Sequence, residues 1–177
     1  MSVSIRRADA SDAERIAELH VEGWQEFRAF VPTEVLEVRT VARRTDAWRE
    51  FLEGERTSSS TTVAELDGAI VGFASTRLLA EPEYGARGEV KNLFVDGPVR
   101  GAGVGRALMV DAARWLAAND GEPIVLYSFT ENPFRGAYDR MGGRVAGERP
   151  TEWDGVVVPE TAYIWATADE LVSACAG

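Results

Sequence analysis

VRGAGVGRAL, residues 99–108, places three glycines in five positions and then runs straight into an apolar, helix-forming segment. Glycine is costly inside a helix, so the stretch predicts a turn that needs bare backbone where a helix begins. A helix N-terminus carries unpaired N–H groups and partial positive charge, which makes it an anion site. Glycines let a phosphate approach without a Cβ in the way, and Arg100 and Arg106 flank the turn with charge-assisted donors. The dinucleotide fingerprint G-x-G-x-x-G would need a third glycine where Arg106 stands, and no Lys-Ser or Lys-Thr pair supplies a Walker loop. What remains is R-x-x-G-x-G, Arg100 to Gly105, a phosphate or pyrophosphate cradle of neither familiar type.

Working outward, Glu89–Val95 (EVKNLFV) reads as a strand entering the turn, and Val104, Leu108, Ala112 and Trp115 share one face of the helix leaving it. Gly121 ends that helix, Ile124–Ser128 gives a strand, and Asn132–Met141 a short helix stopped by Gly142-Gly143. Upstream, Val3–Arg7 predicts a first strand, and Ser11 or Asp12 a helix cap. Ile16, His20, Trp24 and Phe27 follow at helical spacing, Pro32 breaks the run, and a second helix is expected over Glu34–Glu53. Thr62–Leu66, Asp67-Gly68 and Ala69–Leu79 read as a hairpin. Glu81–Gly88 reads as a polar loop, and two β-runs, Arg144–Glu148 and Thr161–Thr167, flank a loop around Trp153. The expected architecture is α/β, a single domain over residues 1–177 with a central mixed sheet flanked by about four helices, in the order β-α-α-β-β-β-α-β-α-β-β.

Composition narrows the function. Hydrophobic residues make up 45% of the chain, enough for a sizeable core, and the net charge is −10. An acidic chain is a poor nucleic-acid partner; it favours cationic small molecules or basic peptides. Cys175 and His20 are the only residues of their kinds, so neither a disulfide within the chain nor a Cys/His metal site is expected. The first residues lack the apolar core of a signal peptide and no stretch approaches membrane-spanning length, which predicts a cytoplasmic protein with no membrane partner.

Strand, turn and helix together, EVKNLFVDGPVRGAGVGRALM, closely resemble the acetyl-CoA-binding motif of the GNAT superfamily of N-acetyltransferases. The element order is similar to that fold along essentially the whole chain, and ENPFRGAYDRMGG is similar to the family's next motif. The N-terminal half, with His20, Trp24, Pro32 and Trp48, is similar to a common bacterial branch. The resemblance implies acetyl-CoA as co-substrate, with no metal. Leu93, Phe94 and Val95 would bond the pantetheine arm through their backbone, and the Val95 N–H would serve as oxyanion donor. Arg100, Gly101, Ala102, Gly103, Val104, Gly105 and Arg106 would wrap the pyrophosphate, and Asn132 would touch the pantetheine or adenosine end. Tyr138 would lie against the cofactor as general acid.

Acyl transfer to an amine needs a neutral nucleophile, oxyanion donors and a proton for the departing thiolate. A phenol can give that proton, which suits Tyr138. With His20 in an apolar stripe, where a packed imidazole is expected, a carboxylate acting through water is the substitute, and Glu89, where the resemblance also places a glutamate, is the candidate for base or amine-orienting group. The resemblance further implies an acceptor wall from the first two helices and the loop between the last strands, which here bring Trp24, Phe27 and Phe30 on one side and Trp153 on the other. Glu22, Glu26, Glu81, Glu83, Glu152 and Asp154 lie beside them in the sequence, an arrangement suited to a cationic amine. Expected, then, is transfer of acetyl from acetyl-CoA to a primary amine of a small molecule or peptide by direct attack on the thioester. The alternative is a non-catalytic acyl-CoA-binding or sensory domain of the same fold; edge strands and exposed aromatics also allow a homodimer.

Overall fold

The structure is a computed structural model that describes residues 3–54 and 57–176. Its secondary structure runs β1 (Val3–Arg7), α1 (Ala13–Gln25), α2 (Thr33–Glu37), α3 (Val41–Glu53), β2 (Ser59–Leu66), β3 (Ala69–Glu83) and β4 (Ala86–Val95). The Gly-rich turn follows, then α4 (Val104–Ala118), β5 (Ile124–Phe129), α5 (Gly136–Arg140), β6 (Arg144–Trp153), β7 (Val156–Trp165) and α6 (Ala168–Cys175). The seven strands form one sheet in the order β1-β2-β3-β4-β5-β7-β6. Every neighbouring pair is antiparallel except β4 with β5.

Helices cover both faces. Met109, Ala112 and Leu116 of α4 and Leu171 of α6 pack against Val90, Leu126, Tyr163 and Trp165 on one face. On the other, Ile16, Ala17 and Leu19 of α1 and Trp48 of α3 pack against Val63 and Phe73. This is the mixed α/β layering that the sequence predicts.

Several boundaries differ. The run expected as one helix over Glu34–Glu53 is two, because the chain turns at Val38–Thr40 and drives the Arg39 side chain inside. Thr40 then caps α3, its side chain accepting from the Arg43 N–H at 3.4 Å. Neither Ser11 nor Asp12 caps α1 through its side chain; Asp9 does the work one turn earlier, in a reciprocal box with Asp12. The polar loop expected over Glu81–Gly88 is mostly strand, closed by a two-residue turn at Tyr84-Gly85, both with positive φ. The loop around Trp153 is likewise a long hairpin, turning at Asp154-Gly155. The short helix expected over Asn132–Met141 is confined to Gly136–Arg140, because Asn132 and Pro133 form a turn ahead of it. α6 was not expected: Ala168 and Leu171 are buried, and Val172 and Cys175 pack beside them. Cys175 is thus half-buried on the core rather than at a frayed end.

Candidate active site

The cavity begins with a register fault. Along β3, Thr76 pairs with Val90 and Ser75 with Asn92, so Lys91 is an extra residue bulged out of β4. A bulge bends its strand and sharpens the twist. Consistent with that, β4 and β5 pair only from Gly88–Val90 to Ile124–Leu126. Beyond those pairs the strands run on to Val95 and Phe129 without bonding each other. A cavity of about 600 Å³ opens between their free ends, reaching the Gly-rich turn, α5 and the end of α1.

Gly101 (φ 83°) and Gly103 (φ 86°) hold left-handed backbone, and open space rather than packed atoms lies where a Cβ would stand. The glycines therefore serve the turn's conformation. The first backbone bond of α4 runs from the Ala107 N–H to the Gly103 carbonyl, 3.0 Å. The N–H groups of Val104, Gly105 and Arg106 have no backbone acceptor among the described residues. They are the orphan donors of a helix start, at the cavity edge where Gly101, Gly103, Gly105 and Arg106 line the wall. Val104 points the other way, into the core with Leu108, and Ala102 does not line the cavity.

Arg100 is already engaged. Its Nη1 and Nη2 donate to both oxygens of Glu26 at 2.7 and 2.6 Å, and its Nε to the Val95 carbonyl at 3.1 Å. The guanidinium also sits 4.6 Å from the Phe134 ring centre. Arg100 thus ties the turn to the end of α1 across the cavity mouth.

Tyr138 lines the cavity, half-buried beside Tyr163 at 5.3 Å between rings. Burial, with a smaller contribution from Tyr163, pushes its phenol up to about 12, so it stays protonated at neutral pH. Its hydroxyl makes no hydrogen bond among the described residues. Leu93, Phe94 and Val95 form the β4 wall, and Asn132 lies opposite. The Asn132 Nδ2 donates to Ser128 Oγ at 2.9 Å, and its Oδ1 accepts from the Phe134 N–H.

Glu89 stands apart. It is buried on β4 but does not line the cavity, and its carboxylate accepts from Arg77 Nε. Glu160, unremarked in the sequence, does line the cavity and is equally buried. Its Oε2 accepts from Arg149 Nε and Nη2, both at 3.2 Å, and from Thr151 Oγ1 at 2.7 Å.

Trp24, Phe27 and Trp153 do meet at the cavity wall, Trp24 and Trp153 with rings edge-to-face at 5.0 Å. The wall already holds a cation. The guanidinium of buried Arg39 lies 4.0 Å from the Trp24 ring centre and 5.5 Å from that of Trp153, and donates to Asp154 at 2.6 Å. Of the six acids expected beside this wall only Glu26 lines the cavity. Glu83 is bound by Arg149 and by Tyr127, whose hydroxyl donates at 2.6 Å. His20 is buried against Phe73 and Phe94, and its Nδ1 accepts from Trp48 Nε1 at 3.2 Å. Burial, aided by the charges of Arg44, Arg39 and Lys91, lowers it to about 3, so it is a neutral core group. Among the described residues no cluster of His, Cys, Asp and Glu could hold a metal ion, and no helix is long and apolar enough to cross a membrane.

Residues 8–142 match the model of the acetyltransferase (GNAT) family, and the chain belongs to that family. It is an acyltransferase. Over 165 residues, 92% of each chain, it is 24% identical to the uncharacterized N-acetyltransferase YuaI of Bacillus subtilis (strain 168). Solved structures share its fold, among them two whose cofactor is named. PaiA N-acetyltransferase of Thermoplasma acidophilum, in complex with coenzyme A, is 16% identical, with a TM-score of 0.64 covering 91% of this chain and 98% of that one. YncA of Salmonella typhimurium, with its cofactor acetyl-CoA, is 19% identical, with a TM-score of 0.64 and 94% of each chain covered.

Proposed function

We propose that the protein transfers the acetyl group of acetyl-CoA to a primary amine of a small molecule or peptide. The observation that carries this reading is the coincidence in one cavity of three features. They are parted strands with free backbone edges, a positive-φ glycine turn presenting orphan N–H groups, and an unpaired, protonated tyrosine hydroxyl. The residues present fit the cofactor: the open space over Gly101 and Gly103 leaves room for a pyrophosphate. Bound there, acetyl-CoA supplies the acetyl group as an activated thioester. Leu93, Phe94 and Val95 offer the unpaired β4 edge to its pantetheine arm, and the turn from Arg100 to Arg106 receives its phosphates. Asn132 closes the opposite side.

Direct attack forms a C–N bond as the C–S bond breaks. The amine gives up a proton, and the thiolate gains one. Tyr138 is the donor to the thiolate. Glu89, held by Arg77 behind the wall, takes the amine's proton through water. Trp24, Phe27 and Trp153 shape the acceptor end. With Arg39 filling their faces, charge attraction for a cationic acceptor falls to the cavity's carboxylates instead of the rings.

Thiol release from acetyl-CoA across a panel of primary amines tests the reading. Turnover with one amine class, lowered about a hundredfold in kcat by Tyr138→Phe, is expected. Tight CoA binding with no release across the panel would contradict it.

A further inference from the structure

Glu160 lies on β7 opposite Phe129 of β5 on one side and Arg149 of β6 on the other. All three of its hydrogen bonds converge on Oε2. The other oxygen, Oε1, takes no hydrogen bond among the described residues, and the residue lines the cavity. One oxygen is therefore clamped and the other is presented.

Charge points to what Oε1 awaits. Arg149 serves two carboxylates at once, Glu83 at 2.6 Å and Glu160 at 3.2 Å. One guanidinium for two carboxylates leaves the group with a net negative charge, whereas Glu89 has Arg77 to itself. The cations along the cavity wall, Lys91, Arg100, Arg106 and Arg140, form no ion pair with Glu160 among the described residues. A nearly buried carboxylate oxygen without a donor is costly, and a cationic donor satisfies it best.

We infer that Glu160 Oε1 receives the ammonium group of the acceptor and positions it, and that the neutral amine left once its proton passes through water to Glu89 attacks from there, making Glu160 the residue that selects amines in this cavity. The inference rests on the acetyltransferase reading. It assigns Glu160 a positioning role and leaves the proton transfer where it was placed above.

The test is Glu160→Gln. The amide oxygen can keep the bonds from Arg149 and Thr151, so the hairpin is preserved, while the NH2 turns a donor toward the cavity in place of an acceptor. The acceptor KM is expected to rise about ten- to a hundredfold, the worth of a charged hydrogen bond, with a smaller fall in kcat. Tm and the CoA Kd measured by calorimetry stay unchanged. An unchanged acceptor KM, with CoA still bound, overturns the role of Glu160 alone. Failure of the wild-type protein to bind CoA overturns the underlying reading and this inference with it. Should the variant not fold, the wild-type protein decides. The hydroxyl isostere of the best amine should inhibit about tenfold less tightly than the amine binds; equal affinity overturns the proposal.

Discussion

Arg100 holds Glu26 through both guanidinium nitrogens, yet it is also the first residue of the turn proposed to receive a pyrophosphate. One planar fork cannot serve both partners in full. Glu26→Gln should therefore strengthen CoA binding, by about two- to fivefold, the scale of a partly exposed ion pair; titration calorimetry on the two proteins checks it. Weaker binding would mean that the pair builds the site rather than competing with it. The Tyr138→Phe comparison belongs to the same scale, because the phenol has no other hydrogen bond to lose. The residues of the cradle were legible in the sequence because their requirement is local: positive φ at Gly101 and Gly103 is a property of single positions. Glu160 was not. It is one of 29 acidic residues, and only the β6–β7 register and the placing of Arg149 make one of its oxygens available. Glu89 shows the converse, a strand position readable in advance whose engagement with Arg77 depends on how β3 lies beside β4.

At the scale of elements, β4 decides the site. Its bulge at Lys91 ends the pairing with β5 after Val90 and turns a sheet into a cleft. The strand itself could be read from EVKNLFV, but the bulge could not, since register is a relation between two strands. Helix limits failed for a related reason. The run expected as one helix over Glu34–Glu53 breaks where Arg39 turns inward to Trp24, Trp153 and Asp154. By contrast α6 carried its signal openly, with Ala168, Leu171, Val172 and Cys175 along one side and Thr167 ahead of them as cap. The Thr167 side chain accepts from the Glu170 N–H at 3.2 Å. Thr167→Ala should lower unfolding stability by about 1 kcal/mol and leave thiol release untouched, a separation that denaturant titration and the activity assay together can read. A matching loss of activity would place α6 in the site.

For the whole molecule, a net charge of −10 combines with one buried neutral imidazole. His20 titrates near 6.5 when unfolded but only near 3 when folded. Between those values the unfolded chain binds more protons, so stability falls as pH drops from about 6.5 toward 3. Full expression of the His20 shift would cost about 1.4 kcal/mol per pH unit across that window. Urea titrations at pH 7, 6 and 5 should show the decline, and His20→Gln should flatten it; identical slopes would mean His20 takes up its proton without unfolding. The layered fold around this core was readable from hydrophobic spacing, because burial repeats along each element, whereas the cavity depends on contacts among several distant segments.

The most direct measurement is calorimetric titration of CoA into the wild-type protein and into Gly103→Glu. The substitution puts a side chain on left-handed backbone and a carboxylate where the phosphates are to lie, in space that no other residue fills. The account predicts saturable binding to the wild-type protein and its loss in the variant, with Tm lowered only by the cost of a side chain on left-handed backbone and the fold retained. Equal binding to both proteins would contradict it, because the glycine turn would then not be where the cofactor's phosphates sit.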